Sequence, residues 1–355
     1  MQNEELRTTT IPLYTPESRA PLPAYSTDAP AHDGFGRRIN YLRISLTDRC
    51  NFRCVYCMPA VGMQFLPRPE LLTADELLMV VRAAAAAGFQ KVRLTGGEPT
   101  LRPDLVAIVA AIKGTPGIEH IALTTNALRL GALAQPLKDA GLDRVNVSID
   151  TLDPQKFRQL TRGGRLEMVW DGIMAAERVG LQPIKLNAVV VRGLNDAEVP
   201  QLAGLTQTYP WEMRFIEVMP LTGVADVAQD GVVKSEELIA QLQAVYGPLE
   251  DLGLAPSDSA RRFRIPGARG KLGFISSVSD PFCATCNRMR LTADGRLHLC
   301  LLRDDEVDLR TAIRGGAAQE QIEQIVRHAV ALKPWGHGLP EHVLPTLRGM
   351  SQLGG

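Results

Sequence analysis

Strand-like and helix-like segments alternate between residues 40 and 220, and this alternation limits the available folds more than any other feature. Strands are predicted over residues 41–46, 91–94, 118–123, 144–147, 184–191 and 213–218. Helical patterns lie between them, over residues 73–87, 102–113, 128–140, 165–179 and 198–208. Repeated strand–helix units indicate a parallel sheet with helical connections. Six units are too few for a closed eightfold barrel, so we expect an α/β fold with a partial (β/α)6 TIM-like barrel.

The remainder of the chain lacks this strand–helix alternation. Residues 1–36 are rich in Pro, Thr, Ser and Ala without an apolar period, which predicts a mobile N-terminal extension. We expect the barrel to cover residues 37–222 and a C-terminal region to cover residues 223–355. That region is predicted to contain helices over 235–246 and 311–330, the second most strongly patterned over 319–329. Thr73 and Glu76 have the spacing of a capping box at a helix start.

The charge balance is neutral, with 39 Lys and Arg against 39 Asp and Glu. Such a chain has no global field that would attract nucleic acid or an anionic membrane, so neither is expected as a partner. An anionic ligand would have to meet a local group of cations. The sequence has no secretory signal pattern and no spanning apolar stretch, so we expect a cytoplasmic protein. Thiols stay reduced there, and the six cysteines are better interpreted as metal ligands or catalysts than as disulfides.

Polar and reactive residues follow directly after the predicted strands. A cysteine triad follows the first strand, and residues 95–99 (Thr-Gly-Gly-Glu-Pro) follow the second. Residues 124–126, 148–150 and 217–220 follow the third, fourth and sixth strands. Because the carboxyl ends of parallel strands form one face, and ligand sites collect on that face, these segments predict a single site.

The first triad is Cys50-x3-Cys54-x2-Cys57. Three thiolates this close in sequence can bind one small inorganic core. Structural zinc usually takes four protein ligands, whereas a [4Fe–4S] cluster held by three cysteines keeps one iron open for a small molecule. On spacing alone, a zinc site with a distant fourth ligand and a redox pair of Cys54 and Cys57 both remain open.

The second triad is Cys283-x2-Cys286-x13-Cys300, and it accounts for the remaining cysteines. His298 lies two residues before Cys300, so the four side chains could form a Cys3His zinc ribbon. Beside the first triad we favour a second iron–sulfur cluster with an open corner, and we interpret His298 as a structural or supporting residue.

The first triad, Tyr56 before Cys57 and residues 96–99 together resemble the radical S-adenosylmethionine superfamily. Residues 41–54, the thirteen-residue gap in the second triad and the terminal Gly354-Gly355 are further similar to the GTP 3′,8-cyclase family, also called molybdenum cofactor biosynthesis protein A. The resemblance covers residues 37–355. It implies a partial barrel with a C-terminal extension that carries the second cluster.

The resemblance also implies a set of site residues. Two [4Fe–4S] clusters would be held by Cys50, Cys54, Cys57 and by Cys283, Cys286, Cys300. Contacts to S-adenosylmethionine would come from Tyr56, Gly97, Ser148 and Met219. GTP would be bound by Arg43, Lys91, Arg93, Thr124, Lys185, Arg288, Met289 and Arg290, where Met289 replaces the Thr usual in the family. The chain has no Walker-type loop, so side chains would hold the triphosphate. Gly354 and Gly355 would reach the active site and be needed for turnover.

The implied activity is that of a lyase acting on GTP. A 5′-deoxyadenosyl radical would take the C3′ hydrogen of GTP, and the C3′ radical would add to C8 of guanine. The implied partners are an electron donor and a downstream cyclic pyranopterin monophosphate synthase; the oligomeric state is left open, a homodimer included. Two alternatives remain at this point: a radical enzyme that modifies a peptide with an auxiliary cluster, and a non-enzymatic zinc protein.

Overall fold

The computed structural model describes residues 24–354, apart from residues 28, 62, 222–226, 228–229, 256–257 and 340–343. Its strands form one sheet. In chain order they are β1 Tyr41–Ser45, β2 Lys91–Thr95, β3 His120–Thr125, β4 Arg144–Ser148, β5 Lys185–Val190, β6 Glu212–Glu217, β7 Glu250–Leu254, β8 Arg261–Arg264, β9 Lys271–Ile275, β10 Arg288–Leu291, β11 Arg296–His298 and β12 Glu306–Asp308.

The helices lie mainly between the strands of the first half and after the last strand. They are α1 Ala74–Ala86, α2 Leu105–Lys113, α3 Leu130–Asp139, α4 Pro154–Thr161, α5 Leu166–Arg178, α6 Val199–Thr208, α7 Ser235–Tyr246, α8 Arg310–Arg314, α9 Gln319–Ala331 and α10 Met350–Leu353. In the part of the chain that the structure describes, none is long and apolar enough to cross a membrane.

The sheet order is β12-β11-β10-β1-β2-β3-β4-β5-β6-β9-β8-β7. Strands β1 to β6 are parallel neighbours in sequence order, which confirms the predicted six-unit partial barrel. The C-terminal region extends the parallel part on both sides, because β10 pairs with β1 and β9 pairs with β6. Antiparallel hairpins form both outer edges, and among the described strands these edges do not pair with each other. The barrel is therefore open, and strands from both sides of the predicted boundary at residue 222 share it.

The local predictions agree with the structure at most helix starts. The capping box is confirmed: Thr73 Oγ1 accepts from Glu76 N at 3.2 Å, and Thr73 N donates to Glu76 Oε2 at 2.8 Å. The single helix predicted over 311–330 is wrong, since the chain forms α8 and α9 with a break at Gly315 and Gly316, the latter at φ +84°. Helix α4 was not predicted, because its sequence is polar and begins with a proline.

The predicted N-terminal extension is anchored in the part that the structure describes. Tyr25 Oη is 2.8 Å from His328 Nδ1 on α9, and Ala31 N donates to Ala87 O at 2.8 Å. Arg37 forms an ion pair with Asp33 and donates to Cys283 O, both at 2.6 Å. Residues from Tyr25 onward therefore pack on the domain, which narrows the mobile extension predicted for residues 1–36; residues 1–23 lie outside the described residues.

Side-chain alternation along the strands separates an apolar face from a polar one. On β1, Leu42 and Ile44 are fully buried in the apolar core beneath the helices. Tyr41 and Arg43 point the other way, into the inside of the open barrel. Because the register pairs Arg43 with Arg93 on β2 and with Arg290 on β10, three guanidinium groups from separate strands lie side by side.

Candidate active site

A cavity of about 520 Å³ occupies the inside of the barrel at the carboxyl ends of the strands. Both cysteine triads open into it, as do the Gly-Gly-Glu loop and the segments after β3, β4 and β6. The single site predicted from the strand ends is therefore one continuous space. The two triads lie on different parts of its wall, one after β1 and the other flanking β10 and β11.

The first triad lies on a loop that is tied to α4. Arg53 N donates to Thr161 O and Val55 N to Leu160 O, at 2.9 and 3.0 Å. Burial raises the pKa of Cys50 to about 11 and the pKa of Cys57 to about 12. Without a metal, the protein thus favours the neutral thiol form of these cysteines. A positively charged metal centre would favour the thiolate form instead. Cys50 Sγ accepts from Phe52 N at 3.3 Å. Three thiols grouped on one loop that opens into the cavity are a suitable donor set for an iron–sulfur cluster.

The two glycines after β2 are required by a close approach of two loops. Gly97 N donates to Thr47 O at 2.6 Å, and Glu98 N donates to Arg49 O at 2.7 Å. A Cβ atom on Gly97 would lie 2.3 Å from Arg49 O and 2.6 Å from Asp48 O. The segment that leads into Cys50 therefore packs directly on the Gly-Gly-Glu loop, and only glycine fits there.

Glu98 connects this loop to the end of β3. Its carboxylate accepts from Thr100 N at 3.0 Å, from Thr125 Oγ1 at 2.7 Å and from Asn126 N at 2.8 Å. Burial raises the pKa of Glu98, although these donors oppose the effect. Asn126 Nδ2 in turn donates to Asn51 Oδ1 at 2.7 Å, beside Cys50. The network holds the first-triad loop against the ends of β2 and β3.

Tyr56 and Asp150 form a buried pair at the end of β4. The Tyr56 hydroxyl donates to Asp150 Oδ2 at 2.6 Å, and Val189 N donates to Asp150 Oδ1 at 2.9 Å. Burial raises the pKa of Asp150 to about 6, while the Tyr56 hydroxyl acts to lower it. The pair fixes the Tyr56 ring against the cavity wall, next to Ser148, which also lines the cavity.

Replacing Tyr56 by phenylalanine is expected to reduce the free energy of unfolding by about 1–3 kcal/mol at pH 8. The hydroxyl stabilises the ionised Asp150, so its removal raises the pKa of Asp150 further. The loss is full only where Asp150 is ionised in both proteins, and it shrinks as the pH falls toward about 6, the pKa in the wild type. Anaerobic denaturant titrations at pH 5 and pH 8 measure the difference. Tyr246→Phe is the control, because Tyr246 donates to the neutral Pro200 O at 2.7 Å and its loss should not vary with pH. An equal cost for Tyr56→Phe at both pH values would contradict the assignment.

The second triad brings together Cys283 and Cys286 before β10 and Cys300 after β11. Burial acts to raise the pKa of Cys286, but the charges of Lys333 and Arg288 outweigh it and lower that pKa. Lys333 Nζ donates to Leu299 O at 2.6 Å, directly beside Cys300. Burial raises the pKa of Cys300, although the charge of Lys333 opposes the effect. Nearby cations thus act to favour the thiolate at both Cys286 and Cys300, and they prevail at Cys286.

His298 is engaged elsewhere. Its Nδ1 lies 3.2 Å from Glu306 Oε1, and it is not among the described residues that line the cavity. Over the described ranges, no three His, Cys, Asp or Glu side chains are grouped as a single metal ion would need. A tetrahedral zinc site would place its sulfurs about 3.8 Å apart. A four-iron cluster holds its thiolates farther apart, since each one binds a different iron.

The cavity wall is strongly positive although the chain is neutral. Among the described residues, ten Arg and Lys line it against four Asp and Glu. Burial and the neighbouring guanidinium groups lower the pKa of Arg43, and burial, chiefly, lowers the pKa of Arg93 and of Arg290 to about 10. Cations held this close repel one another, so an anion with several charges would relieve the repulsion when it binds.

Most of the predicted substrate residues are part of this wall. Those that line the cavity are Arg43, Lys91, Arg93, Thr124, Lys185, Arg288 and Arg290, together with the predicted cofactor residues Tyr56, Gly97, Ser148 and Met219. Met289 is the exception, because it pairs in register with Leu42 and is buried in the apolar core on the opposite face. The predicted substrate contact of the Met289 side chain is wrong for this reason.

Four further cations on the wall were not predicted: Arg144, Arg214, Arg262 and Lys333. The alternation of side chains along a strand could have identified Arg144 and Arg214. Arg144 lies on the same face of β4 as Ser148, and Arg214 lies on the same face of β6 as Ile216. Arg262 lies on β8 and Lys333 lies in the segment after α9. The local sequence does not indicate that these two segments pack beside the barrel. Two cations of the cavity wall are already paired with carboxylates. Lys185 and Arg214 both bind Glu212, and Arg214 also binds Asp258.

The C-terminal residues approach the cavity from the side of β1 and β2. Arg290 Nη1 donates to Leu353 O at 3.2 Å and to Gly354 O at 2.5 Å. A Cβ on Gly354 would lie 2.6 Å from Thr95 Cγ2. Gly354 therefore lies beside two residues of the cavity wall, Arg290 and Thr95, whereas Gly355 lies outside the described residues. That the two glycines act in the active site stays a prediction.

Comparisons with known proteins agree with this geometry. Residues 44–206 match the radical SAM superfamily, and residues 211–339 match the family described as Molybdenum Cofactor Synthesis C. The chain is 46% identical to the GTP 3′,8-cyclase of Moorella thermoacetica and 46% identical to that of Pelotomaculum thermopropionicum; each comparison covers 91% of this chain and 99% of the relative. The structure of Streptococcus suis SuiB bound to S-adenosylmethionine has a TM-score of 0.57 at 15% identity, over 80% of this chain and 67% of that one. That likeness concerns the fold, whereas the sequence identities define the family: the chain belongs to the GTP 3′,8-cyclase family of the radical S-adenosylmethionine superfamily.

Proposed function

We propose that this chain is a GTP 3′,8-cyclase, which converts GTP to 3′,8-cyclo-7,8-dihydroguanosine 5′-triphosphate in molybdenum cofactor biosynthesis. The observation that carries the proposal is the charge of the cavity. Ten cations and four carboxylates line a space that opens onto two cysteine triads. A nucleoside triphosphate supplies several negative charges for such a wall, and arginine is well suited to bind phosphate.

The first site is assigned from superfamily membership, which implies one [4Fe–4S] cluster and S-adenosylmethionine. Cys50, Cys54 and Cys57 would hold the cluster, and Tyr56, Gly97, Ser148 and Met219 would bind S-adenosylmethionine. Together, the reduced cluster and S-adenosylmethionine supply the 5′-deoxyadenosyl radical. The chain itself orients the bound groups through the Glu98 network and the Tyr56–Asp150 pair, and the buried walls restrict water around them.

The guanidinium and ammonium groups inside the barrel bind the triphosphate in this proposal. Arg43, Arg93 and Arg290 lie side by side on three neighbouring strands, so one phosphate chain can contact all three. Arg288 stacks on Phe282 with its guanidinium carbon 4.3 Å from the ring centroid, and its Nη2 atom is buried without a hydrogen-bond partner among the described residues. An unpartnered buried donor that faces a cavity is suited to a ligand oxygen or nitrogen.

We further assign a second [4Fe–4S] cluster to Cys283, Cys286 and Cys300, with its open iron facing the guanine. The cations near Cys286 and the opening of this triad into the same cavity as the first triad support the assignment. On this basis residues 37–222 form the radical-generating barrel and residues 223–355 the substrate-side region that completes the same cavity. An electron donor and a cyclic pyranopterin monophosphate synthase that takes up the product are the partners of this activity, in the cytoplasm.

The direct test uses protein purified and reconstituted without oxygen, mixed with GTP, S-adenosylmethionine and dithionite. We expect 5′-deoxyadenosine to form in a GTP-dependent way, together with the cyclised nucleotide. Iron and acid-labile sulfide are measured per chain in the same sample. Zinc without iron, or 5′-deoxyadenosine that does not depend on GTP, would be incompatible with the proposal.

Replacing Arg288 by alanine is expected to weaken GTP binding by about 10- to 100-fold, since a charge-assisted hydrogen bond in a buried site is lost. Equilibrium binding of GTP to the reconstituted protein measures the effect, and iron content should not change. Arg269→Ala serves as the control, because Arg269 is exposed and donates to Thr208 O outside the cavity. Unchanged affinity in Arg288→Ala would remove this residue from the GTP site.

A further inference from the structure

The last described residues run from the protein surface to the cavity. Residues 344–349 pass along the β11–β12 hairpin, and α10 then leads to Gly354 beside β1 and β2. Leu353 is fully buried in a small apolar cluster with Leu221 and Leu302, against which Met350 and Met219 pack. The segment therefore contacts a residue of the cavity wall after β6, Met219, and a residue near the second triad, Leu302.

Arg348 binds two carboxylates at the start of this path. Its Nη1 and Nη2 donate to Asp294 Oδ1 and Oδ2 at 3.1 and 2.9 Å. Its Nε and Nη2 donate to Glu306, the latter at 3.0 Å to Oε2. The three side chains are only 9–13% exposed. We refer to Arg348 with Asp294 and Glu306 as the tail clasp.

Both carboxylates of the tail clasp have fixed positions. Asp294 lies in the turn between β10 and β11, and Glu306 is the first residue of β12. Glu306 Oε1 is also 3.2 Å from His298 Nδ1, across the strand pair. Burial would lower the pKa of Arg348, but its hydrogen bonds to Glu306 and Asp294 raise that pKa above the usual value. The guanidinium of Arg348 is thus charged, and the two carboxylates of the sheet fix its position.

The other attachments of the segment are less directional. Asp304 accepts from Thr346 N at 2.8 Å and from Leu347 N at 3.2 Å, but these contacts are exposed. Arg290 donates to main-chain carbonyls, which every residue of the segment possesses. The apolar contacts of Met350 and Leu353 have no fixed direction. A shift of the segment by one residue would still offer main-chain carbonyls to Arg290, whereas the two bidentate pairs of Arg348 would be lost.

We propose that Arg348 is a positioning residue, which fixes through the tail clasp where Gly354 lies beside the cavity wall. Five residues separate Arg348 from Gly354, and a single helical turn lies between them. With the clasp at one end and Arg290 at the other, the length of this turn sets the position of Gly354. The proposal rests on the proposed function and on the expectation from the family resemblance that Gly354 and Gly355 are needed at the active site.

The test compares Arg348→Gln and Arg348→Lys with the wild-type full chain, reconstituted with iron and sulfide. Three quantities are measured: hydrogen exchange of residues 349–354, cyclised product per 5′-deoxyadenosine, and iron per chain. For Arg348→Gln we expect faster exchange in the tail and coupled product reduced on the order of 100-fold, the scale of a small misplacement in an active site. Cleavage of S-adenosylmethionine and iron content should stay near wild type. Lysine keeps the charge but not the bidentate geometry, so Arg348→Lys should show a smaller change in the same direction.

Arg314→Gln is the matched control. Arg314 also binds a carboxylate, Glu76, at 2.7 Å and two main-chain carbonyls, but it fixes α8 to residues 68–76 and does not contact the tail. This variant should leave tail exchange and the coupling ratio unchanged. Wild-type exchange or wild-type coupling in Arg348→Gln would overturn the proposal.

Two further outcomes can be distinguished from a failure of this proposal. If Arg348→Gln does not fold, Asp294→Asn removes one charge of the tail clasp and keeps the pair with Glu306; unchanged tail exchange in that variant overturns the proposal as well. If the wild type itself forms no GTP-dependent 5′-deoxyadenosine, the proposed function fails, while the exchange data still decide whether Arg348 holds the tail.

Discussion

Cys54→Ala should abolish cleavage of S-adenosylmethionine, whereas Cys300→Ala should retain cleavage and lose cyclisation. Cys54 is a buried member of the first triad, and its removal leaves two thiols for a cluster that needs three. Cys300 lies across the cavity, beside Leu301 and Leu302 that contact the tail. Cys54→Ala is therefore expected to prevent formation of the radical, whereas Cys300→Ala is expected to prevent its use in cyclisation.

The two variants control each other. Both replace one buried cysteine by alanine, so their costs in folding stability are similar, and circular dichroism together with iron per chain establishes that each variant retains its other cluster. The measurements are 5′-deoxyadenosine and cyclised nucleotide in the same anaerobic reaction. Equal loss of 5′-deoxyadenosine in the two variants, with the fold intact, would contradict the division of labour between the triads.

Gly97→Ala should remove the first cluster without a change in any cysteine. The added Cβ would lie 2.3 Å from Arg49 O and 2.6 Å from Asp48 O, and both are main-chain atoms that cannot rotate away. The loop that leads into Cys50 must therefore move. We expect a loss of about 1–3 kcal/mol in the free energy of unfolding, as for other overpacked sites, and about half of the iron. Cleavage of S-adenosylmethionine should fall on the order of 100-fold or more.

Gly131→Ala is the control for this prediction. Gly131 lies in α3, and a Cβ there meets nothing within 4 Å. Alanine is favoured over glycine inside a helix by about 0.5–1 kcal/mol, so this variant should be slightly more stable and fully active. Denaturant titration, iron analysis and the cleavage assay are applied to both variants. Wild-type iron content in Gly97→Ala would show that the two loops can separate without affecting the first triad.

The fold shows which kinds of pattern can be interpreted from a sequence. The six strand–helix units were predictable because each one carries its own apolar period and its own turn residues. The helix break at Gly316 and helix α4 were missed, since the first depends on one residue with positive φ and the second on a polar segment that packs through Phe157 and Leu160. These are local features whose signals are weak.

The site divides in the same way. The residue types that carry the chemistry, two cysteine triads and the strand-end motifs, could be found in the sequence because their spacing is local. Met289 was misassigned because the face that a strand residue presents depends on register, and the pairing of β10 with β1 joins residues almost 250 positions apart. Arg262 and Lys333 reach the cavity through equally distant contacts.

The sequence by itself determined the parallel barrel, the two sets of thiols and the need for a local cluster of cations in a neutral chain. Only the tertiary structure decided that β9 and β10 extend the barrel on both sides, that ten cations converge, and that Arg348 holds the tail. The physical reason is that period and spacing act within a few residues, whereas register, burial and ion pairing depend on segments that meet only when the whole sheet has formed.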